Sequence, residues 1–261
     1  MHIPLLRYRL LEARHCLGWI PLVSLLTGVV LTVLTVRFIP LLPPAVNAFM
    51  ERAFLIQGLG AVILLNAYIG IYLMVFFCGA TGLMRALVEP RETRSLEMLL
   101  GKPLSRRAFL GARVTPLLLV SAAVGVVMTL TLGLVVRPFT GPHASVSVLG
   151  TLGSGLALTA LAVLLLAVLV LPLLRVRDAL QGLLVASVLW MVPMLPTAVL
   201  LYRPDLYEGR ERLRELIALG PNLVWFDTAM PWVGVLAFLG AAVASWGLLA
   251  LGARVFEHTD L

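Results

Sequence analysis

An all-α membrane protein with six transmembrane helices is the fold class this sequence predicts, and three observations predict it. Of its 261 residues, 61% are hydrophobic and only 13% charged, where soluble domains run near 45–50% and about 25%. The apolar residues fall into six uncharged runs, each reaching the ~20 residues that cross a hydrocarbon core. Lysine and arginine concentrate in alternate connecting segments, as they do where those segments are cytosolic.

The six runs are 17–36, 53–84, 114–136, 146–174, 179–202 and 230–253. Before the first stand Arg7, Arg9 and Arg14, an arrangement that imitates a secretory signal. A signal core is shorter than a full span, however, and Arg37 follows without a small-residue cleavage site, so the run reads as a retained helix. The second run is too long for one upright span. It tilts, enters along the surface near Gly58 and Gly60, or carries an extra turn into the cytosol. The fourth is also long and ends at Pro172.

Two amphipathic segments flank these spans. Residues 3–16 carry Leu6, Leu10 and Ala13 beside Arg7 and Arg14, the pattern of an N-terminal interfacial helix; a frayed basic tail is the plainer alternative. Between spans five and six, residues 208–219 place Leu213, Leu216 and Ile217 on one helical face. Gly220-Pro221 stops that helix, and the apolar cluster Leu223-Val224-Trp225-Phe226 follows. This outer segment dips into the headgroup region, caps a cavity mouth, or acts as an aromatic belt anchor.

With both termini in the cytosol, thirteen of the twenty Lys and Arg residues fall inside and seven outside. Four of the outer seven (Arg203, Arg210, Arg212 and Arg214) are interleaved with Asp205, Glu208, Glu211 and Glu215. The net charge of +7 therefore follows from positive-inside topology and contact with anionic lipid rather than from a nucleic-acid patch. Cys16 and Cys78 have no metal-ligand spacing and face a reducing compartment on this topology. No internal repeat, linker or low-complexity tract divides the chain, which reads as one domain over 1–261.

Several kinds of chemistry lack their residues. Gly101-Lys102-Pro103 has the Gly-Lys pair of a phosphate loop but not its earlier Gly or its hydroxyl residue. Ser154, between two glycines, lacks an imidazole, since His2, His15, His143 and His258 all lie outside the spans; Gly-Ser-Gly reads instead as a close-packing site. No span holds a charge in its interior, where ion-coupled carriers keep one. The nearest polar groups are Asn66, Tyr68 and Tyr72, which line a translocation path or hydrogen-bond to another helix.

The most informative stretch is the charged island from Glu89 to Arg113 between spans two and three. Leu96, Leu99 and Leu100 recur at i, i+3 and i+4, the mark of a short amphipathic helix. Glu92 and Glu97 lie near its start and Lys102, Arg106 and Arg107 follow it, in the order a helix dipole favours. Such a cytosolic helix offers a soluble partner an apolar ridge and charges.

This stretch resembles the loop between spans two and three in the permease subunits of type-2 ATP-binding-cassette exporters. There the pattern reads Glu-x-Gly-Thr-Leu-Glu-x-Leu-Leu, then a small residue, Pro, a hydrophobic residue, Ser, Arg, and later Gly-Lys. Glu92, Leu96-Glu97, Leu99-Leu100 and Pro103-Leu104-Ser105-Arg106 match it, and Gly111 precedes Arg113 where Gly-Lys is usual. Arg94 replaces the family's Gly and removes a hinge, while Ser95 replaces Thr and keeps a capping hydroxyl. The motif covers about 25 residues; the six-span layout and Leu219-Gly220-Pro221-Asn222-Leu223 resemble the family more loosely.

The resemblance implies a permease domain in a bacterial cytoplasmic membrane, pairing with a second permease chain. Soluble ABC ATPase subunits would dock on Glu92, Ser95, Leu96, Glu97, Leu99, Leu100 and Arg106. Leu96 and Leu100 would fill a groove in the ATPase. Glu97 and Arg106 would meet charges at its rim or brace the loop. ATP and Mg would be bound by that partner and no cofactor by this chain. Two other classes remain open: a non-transporting membrane scaffold or sensor, and an ion-coupled carrier.

Overall fold

In hydrocarbon every backbone N–H and C=O has to be satisfied within the chain, and for a single apolar segment only a helix does this. The computed structural model describes residues 18–38, 41, 43–46, 48, 59–92, 106–136, 148–176, 178–195, 199, 204–207, 209 and 231–257. The elements among them are all helical. They are α1 (Ile20–Phe38), α2 (Leu59–Leu87), the short α3 (Glu89–Glu92), α4 (Arg106–Val136), α5 (Val148–Leu173), α6 (Ala179–Met191) and α7 (Pro231–Glu257). Two 3-10 turns, Val192–Met194 and Pro204–Tyr207, complete the set.

Four helices contain stretches long and apolar enough to cross a membrane: Ala67–Leu87, Phe109–Val135, Val148–Leu173 and Gly234–Val255. Two shorter apolar helices, Ile20–Leu34 and Ala179–Met191, pack with them. The boundaries differ from the sequence expectation at several ends; the sixth run, for one, continues past 253 to Glu257. The second run continues past Met84 to Leu87. The third helix starts at Arg106, well before 114, because Arg106, Arg107 and Arg113 extend it beyond the apolar stretch without breaking the hydrogen-bond ladder. In the fifth run α6 tightens after Met191 into the 3-10 turn that contains Pro193, and Leu195 and Val199 beyond it are again helical by backbone. Proline has no N–H to give to the carbonyl four residues earlier. The interfacial helix expected over 3–16 lies outside the described residues, as does the outer segment over 208–219 apart from Gly209.

Side-chain contacts fix the direction of each helix. Arg113 reaches Ala86 while Gly125 faces Val75, so α2 and α4 are antiparallel. Tyr68 meets Thr151 and Gly79 meets Leu166, which makes α5 parallel to α2. Gly234 lies on Gly153 and Gly252 on Leu171, so α7 runs with α5. Gly182 lies by Met84 and Trp190 by Tyr72, and α6 therefore opposes α2. Gly18 lies beside Arg85 and Gly28 against Met128, which sets α1 against α2 and along α4. The six long helices alternate in direction. One end of the bundle gathers Arg85, Arg113, Arg175, Asp178 and Arg254.

The interior is centred on α2 and α5. Tyr68, Ile71, Tyr72, Val75, Phe76 and Leu83 of α2 are buried, together with Leu166, Leu169, Val170 and Leu173 of α5. The outer faces are also apolar: Val23 and Leu26 on α1, Leu184 and Val188 on α6, and Val243 and Trp246 on α7 are exposed. In water so much contiguous apolar surface would drive association. Against lipid it is the expected solvent face. The described helices are those of a membrane-spanning protein.

Lipid supplies no hydrophobic drive between helices, so close backbone approach does the holding. Gly125 of α4 packs on Thr159 of α5, while Gly155 of α5 packs on Thr129 of α4, a reciprocal pair of notches. Tighter still, Gly234 of α7 sits on the backbone of Gly153, and any Cβ there would overlap its carbonyl. Gly234→Leu is expected to destabilise the protein by about 1–3 kcal/mol through overpacking, measured by unfolding in mixed micelles. Gly240→Ala, where a Cβ meets nothing within 4 Å, should be neutral or slightly stabilising; equal losses for the two would remove the close-contact explanation.

Candidate functional site

The base of the segment between α2 and α4 is built from both helices and α3. At the end of α2 the last carbonyls have no intrahelical donor. Arg113, on the second turn or so of α4, donates from Nη1 to the carbonyl oxygen of Ala86 at 2.8 Å. Its guanidinium also lies over the Phe109 ring, 4.7 Å from the centroid. The ring holds the cation in place by its quadrupole as well as by contact. Phe109 and Arg113 are four residues apart and so share one helix face; Phe109 is itself buried. The two helices are thus clamped together where the segment 93–105 leaves one and enters the other.

Glu89–Glu92 starts a new short helix directly after α2, with Pro90 in its first turn, where a missing N–H is tolerated. Glu92 closes this helix and Arg106 opens α4, both by backbone; their side chains lie outside the described residues. Ser95, Leu96, Glu97, Leu99 and Leu100 also lie outside them. The structure therefore places both borders of the expected docking helix at the end of the bundle that carries Arg85, Arg175 and Arg254.

The second group of expected residues lies along α2. Asn66 falls on this helix by backbone, and its side chain is outside the described residues. Tyr68 and Tyr72 are both buried. Tyr68 donates its hydroxyl proton to the Thr151 carbonyl of α5 at 3.2 Å, with Ser154 also within hydrogen-bonding reach. Tyr72 donates to the Trp190 carbonyl of α6, also at 3.2 Å. The rings of Tyr72 and Trp190 stack at 6.3 Å, and Phe76 and Phe77 extend the cluster.

The bond from Tyr72 has a local cause. In a 3-10 turn the carbonyl of Trp190 would look three residues ahead for a donor and find Pro193, which has none. Tyr72 supplies the missing proton from the neighbouring helix. Ser154 is buried between the two glycine contacts of α5, consistent with a packing role for Gly153-Ser154-Gly155. Cys78 is buried with a free thiol; Cys16 is outside the described residues.

Sequence reasoning named Arg113 only by its place after Gly111 and missed the clamp. The i, i+4 spacing of Phe109 and Arg113 was the available signal, but the acceptor on α2 carries no mark in the sequence. Trp190 was missed too, as an aromatic inside an apolar run resembles any other core residue. No protein-family model, curated protein or solved structure matches this chain.

Tyr72→Phe should cost about 1–3 kcal/mol by leaving the Trp190 carbonyl without a donor. Pro193→Ala restores an N–H and should make the same Tyr72→Phe change cheaper. A double-mutant cycle read by unfolding in micelles measures the coupling. Strict additivity would show that Tyr72 is not substituting for the lost backbone donor.

Proposed function

We propose that this chain is the membrane-spanning subunit of an ATP-driven exporter of the type-2 ATP-binding-cassette kind, docking separate ATPases through its segment 92–106. The observation that carries the proposal is the Arg113 clamp between α2 and α4, at the two borders of that segment. A docking element is useful for work only if its movement reaches the membrane. Two long helices joined at that end move as one body, and α2 carries the displacement into the centre of the bundle. On this reading Leu96, Leu99 and Leu100 seat in an apolar groove of the ATPase, Ser95 caps the helix, and Glu92, Glu97 and Arg106 set its orientation.

Two further features agree with this. Among the described residues, the buried side chains that carry oxygen are hydroxyls of Thr, Ser and Tyr, and on this reading no charge among them offers coupling to an ion gradient. The energy then comes from ATP and Mg held by the partner. On this reading the path runs between two permease chains rather than within one, which the burial of Tyr68 and Tyr72 in the described interior supports. Asn66, Tyr68 and Tyr72 then act on it by shaping α2. The proposal carries six spans, cytosolic termini and residence in the bacterial cytoplasmic membrane, with the arginine-rich end inside. A non-transporting scaffold uses the same docking segment, and the sealed interior suits it equally.

Purification of the chain in mild detergent from its own cells, with identification of what accompanies it, separates these readings. A stoichiometric soluble ATPase is expected, and Leu96→Asp or Glu97→Arg should abolish its association while membrane insertion is retained. Wild-type association in both variants would remove the docking role. Arg113→Ala should keep the ATPase bound and lose substrate-stimulated ATP turnover by roughly tenfold, a loss of about 1.4 kcal/mol of coupling. Turnover that never responds to any transported compound, even in the wild type, favours the scaffold.

A further inference from the structure

A glycine inside a helix costs about 1 kcal/mol relative to alanine, so each one asks for a reason. Of the four glycines in α7, two have one: Gly234 lies on Gly153, and Gly252 lies against Val170 and Leu171 of α5. Gly240 and Gly247 are exposed, and a Cβ on either would meet nothing within 4 Å. They belong to a longer series. Leu236, Gly240, Val243, Gly247, Ala250 and Arg254 follow one another at alternate spacings of four and three, and all are exposed. Glu257 is the next position of the same series by backbone.

Spacings of four and three average about 3.5 residues, the repeat of a helix packed along a second helix in a left-handed pair. Small residues at such positions let two backbones approach within a membrane, whereas lipid chains impose no period. α7 has the surface to offer: 11% of its apolar stretch is buried, against 44%, 56% and 61% in the other three. Trp246 agrees with a helical neighbour. It borders Gly247, is 77% exposed and lies near the middle of the stretch Gly234–Val255. Hydrocarbon at that depth has no acceptor for an indole N–H, and Trp246 has no hydrogen-bond partner among the described residues. A backbone carbonyl of an adjoining helix, left uncovered beside a glycine, supplies one.

Charge selects the occupant. Copies of one chain insert with the same orientation, so two α7 helices meet in parallel about a two-fold axis. Arg254 and Glu257 hold successive positions of the series at the arginine-rich end. In a parallel pair each arginine therefore stands one turn from the glutamate position of the other copy, the arrangement by which paired helices fix partner and orientation. We propose that α7 pairs with α7 of a second copy along Leu236–Glu257, with closest approach at Gly240 and Gly247 and reciprocal ion pairs between Arg254 and Glu257. The pairing needs no ATPase, so it stands or falls separately from the exporter reading.

The test uses the full chain carrying Cys16→Ser in liposomes at low protein density. Val243→Cys and Ala250→Cys should each form an intermolecular disulfide under copper phenanthroline. Val188→Cys on α6 and Val23→Cys on α1, which are also exposed, should not. Energy transfer between donor- and acceptor-labelled copies, followed as lipid is added, measures the association itself. Gly247→Ile should weaken it about tenfold by forcing the two backbones apart. Arg254→Glu and Glu257→Arg should each weaken it about fivefold, and the two together should restore it to within about twofold. Disulfides that form as readily from α1 or α6 overturn the proposal, as does association unchanged in Gly247→Ile. A charge swap that restores nothing assigns Arg254 to lipid headgroups and overturns it as well, and this swap decides should Gly247→Ile fail to insert. Pairing lost while an ATPase still copurifies leaves the exporter reading untouched.

Discussion

Everything in this bundle depends on how α2 is held. It is buried along most of its described length, and its neighbours meet it through few, specific contacts. Removing apolar side chains from lipid gains little, because the alternative surroundings are equally apolar. What remains is close packing and the satisfaction of polar atoms. Both are visible along α2: Gly79 admits Leu166 and Ser121, Tyr68 and Tyr72 reach carbonyls on α5 and α6, and the last turn is capped by Arg113 from α4. Together these ties join α2 to α4, α5 and α6. A displacement applied at its charged end cannot be absorbed by local sliding without breaking at least one of them.

The same contacts set a division of labour among the helices. α7 packs closely on α5 through Gly234 and Gly153 yet leaves most of its surface to lipid, with Val243 and Trp246 exposed. α6 is tied by one hydrogen bond and an aromatic stack just before its helix tightens at Pro193. A 3-10 segment is a frequent place for a helix to bend. The rigid part of the molecule is thus α2, α4 and α5, and the tightened end of α6 is where the bundle has freedom to adjust. A coupling stroke at the base of α2 and α4 would move a rigid unit against that adjustable one.

Much of this was legible in the sequence. Four of the six apolar runs gave helices long and apolar enough to cross a membrane, and the first and fifth gave shorter apolar helices; length and absence of charge are direct requirements of the hydrocarbon core. Gly153-Ser154-Gly155 was readable as a contact site for a similar reason, since small residues in a membrane helix have few other uses. The failures share a cause. The early start of α4 at Arg106 and the 3-10 turn after Met191 were not foreseen, since hydrogen-bond supply rather than hydropathy sets them. The Arg113 acceptor and the Tyr72 acceptor are backbone carbonyls, which every residue possesses and no sequence pattern singles out. The leucines and acidic residues of the expected docking helix lie outside the described residues, so the sequence pattern still carries that part alone.

A buried interior without charge has a consequence for mechanism. A carrier that draws on an ion gradient binds the ion at depth and must offer it a titratable or strongly polar site. The described core offers hydroxyls instead, of which Thr32, Ser121 and Thr159 bond carbonyls of their own helix and Tyr68 and Tyr72 those of a neighbour. Such groups lock a conformation; they do not exchange protons across a membrane. On the exporter reading, work would enter from the end of the bundle that carries Arg85, Arg113 and Arg254. That end is also where α2 and α4 are joined and where the amphipathic pattern of residues 92–106 begins and ends. Charge, the α2–α4 clamp and the amphipathic pattern coincide at one place, and on the exporter reading the rest of the bundle would transmit force rather than generate it.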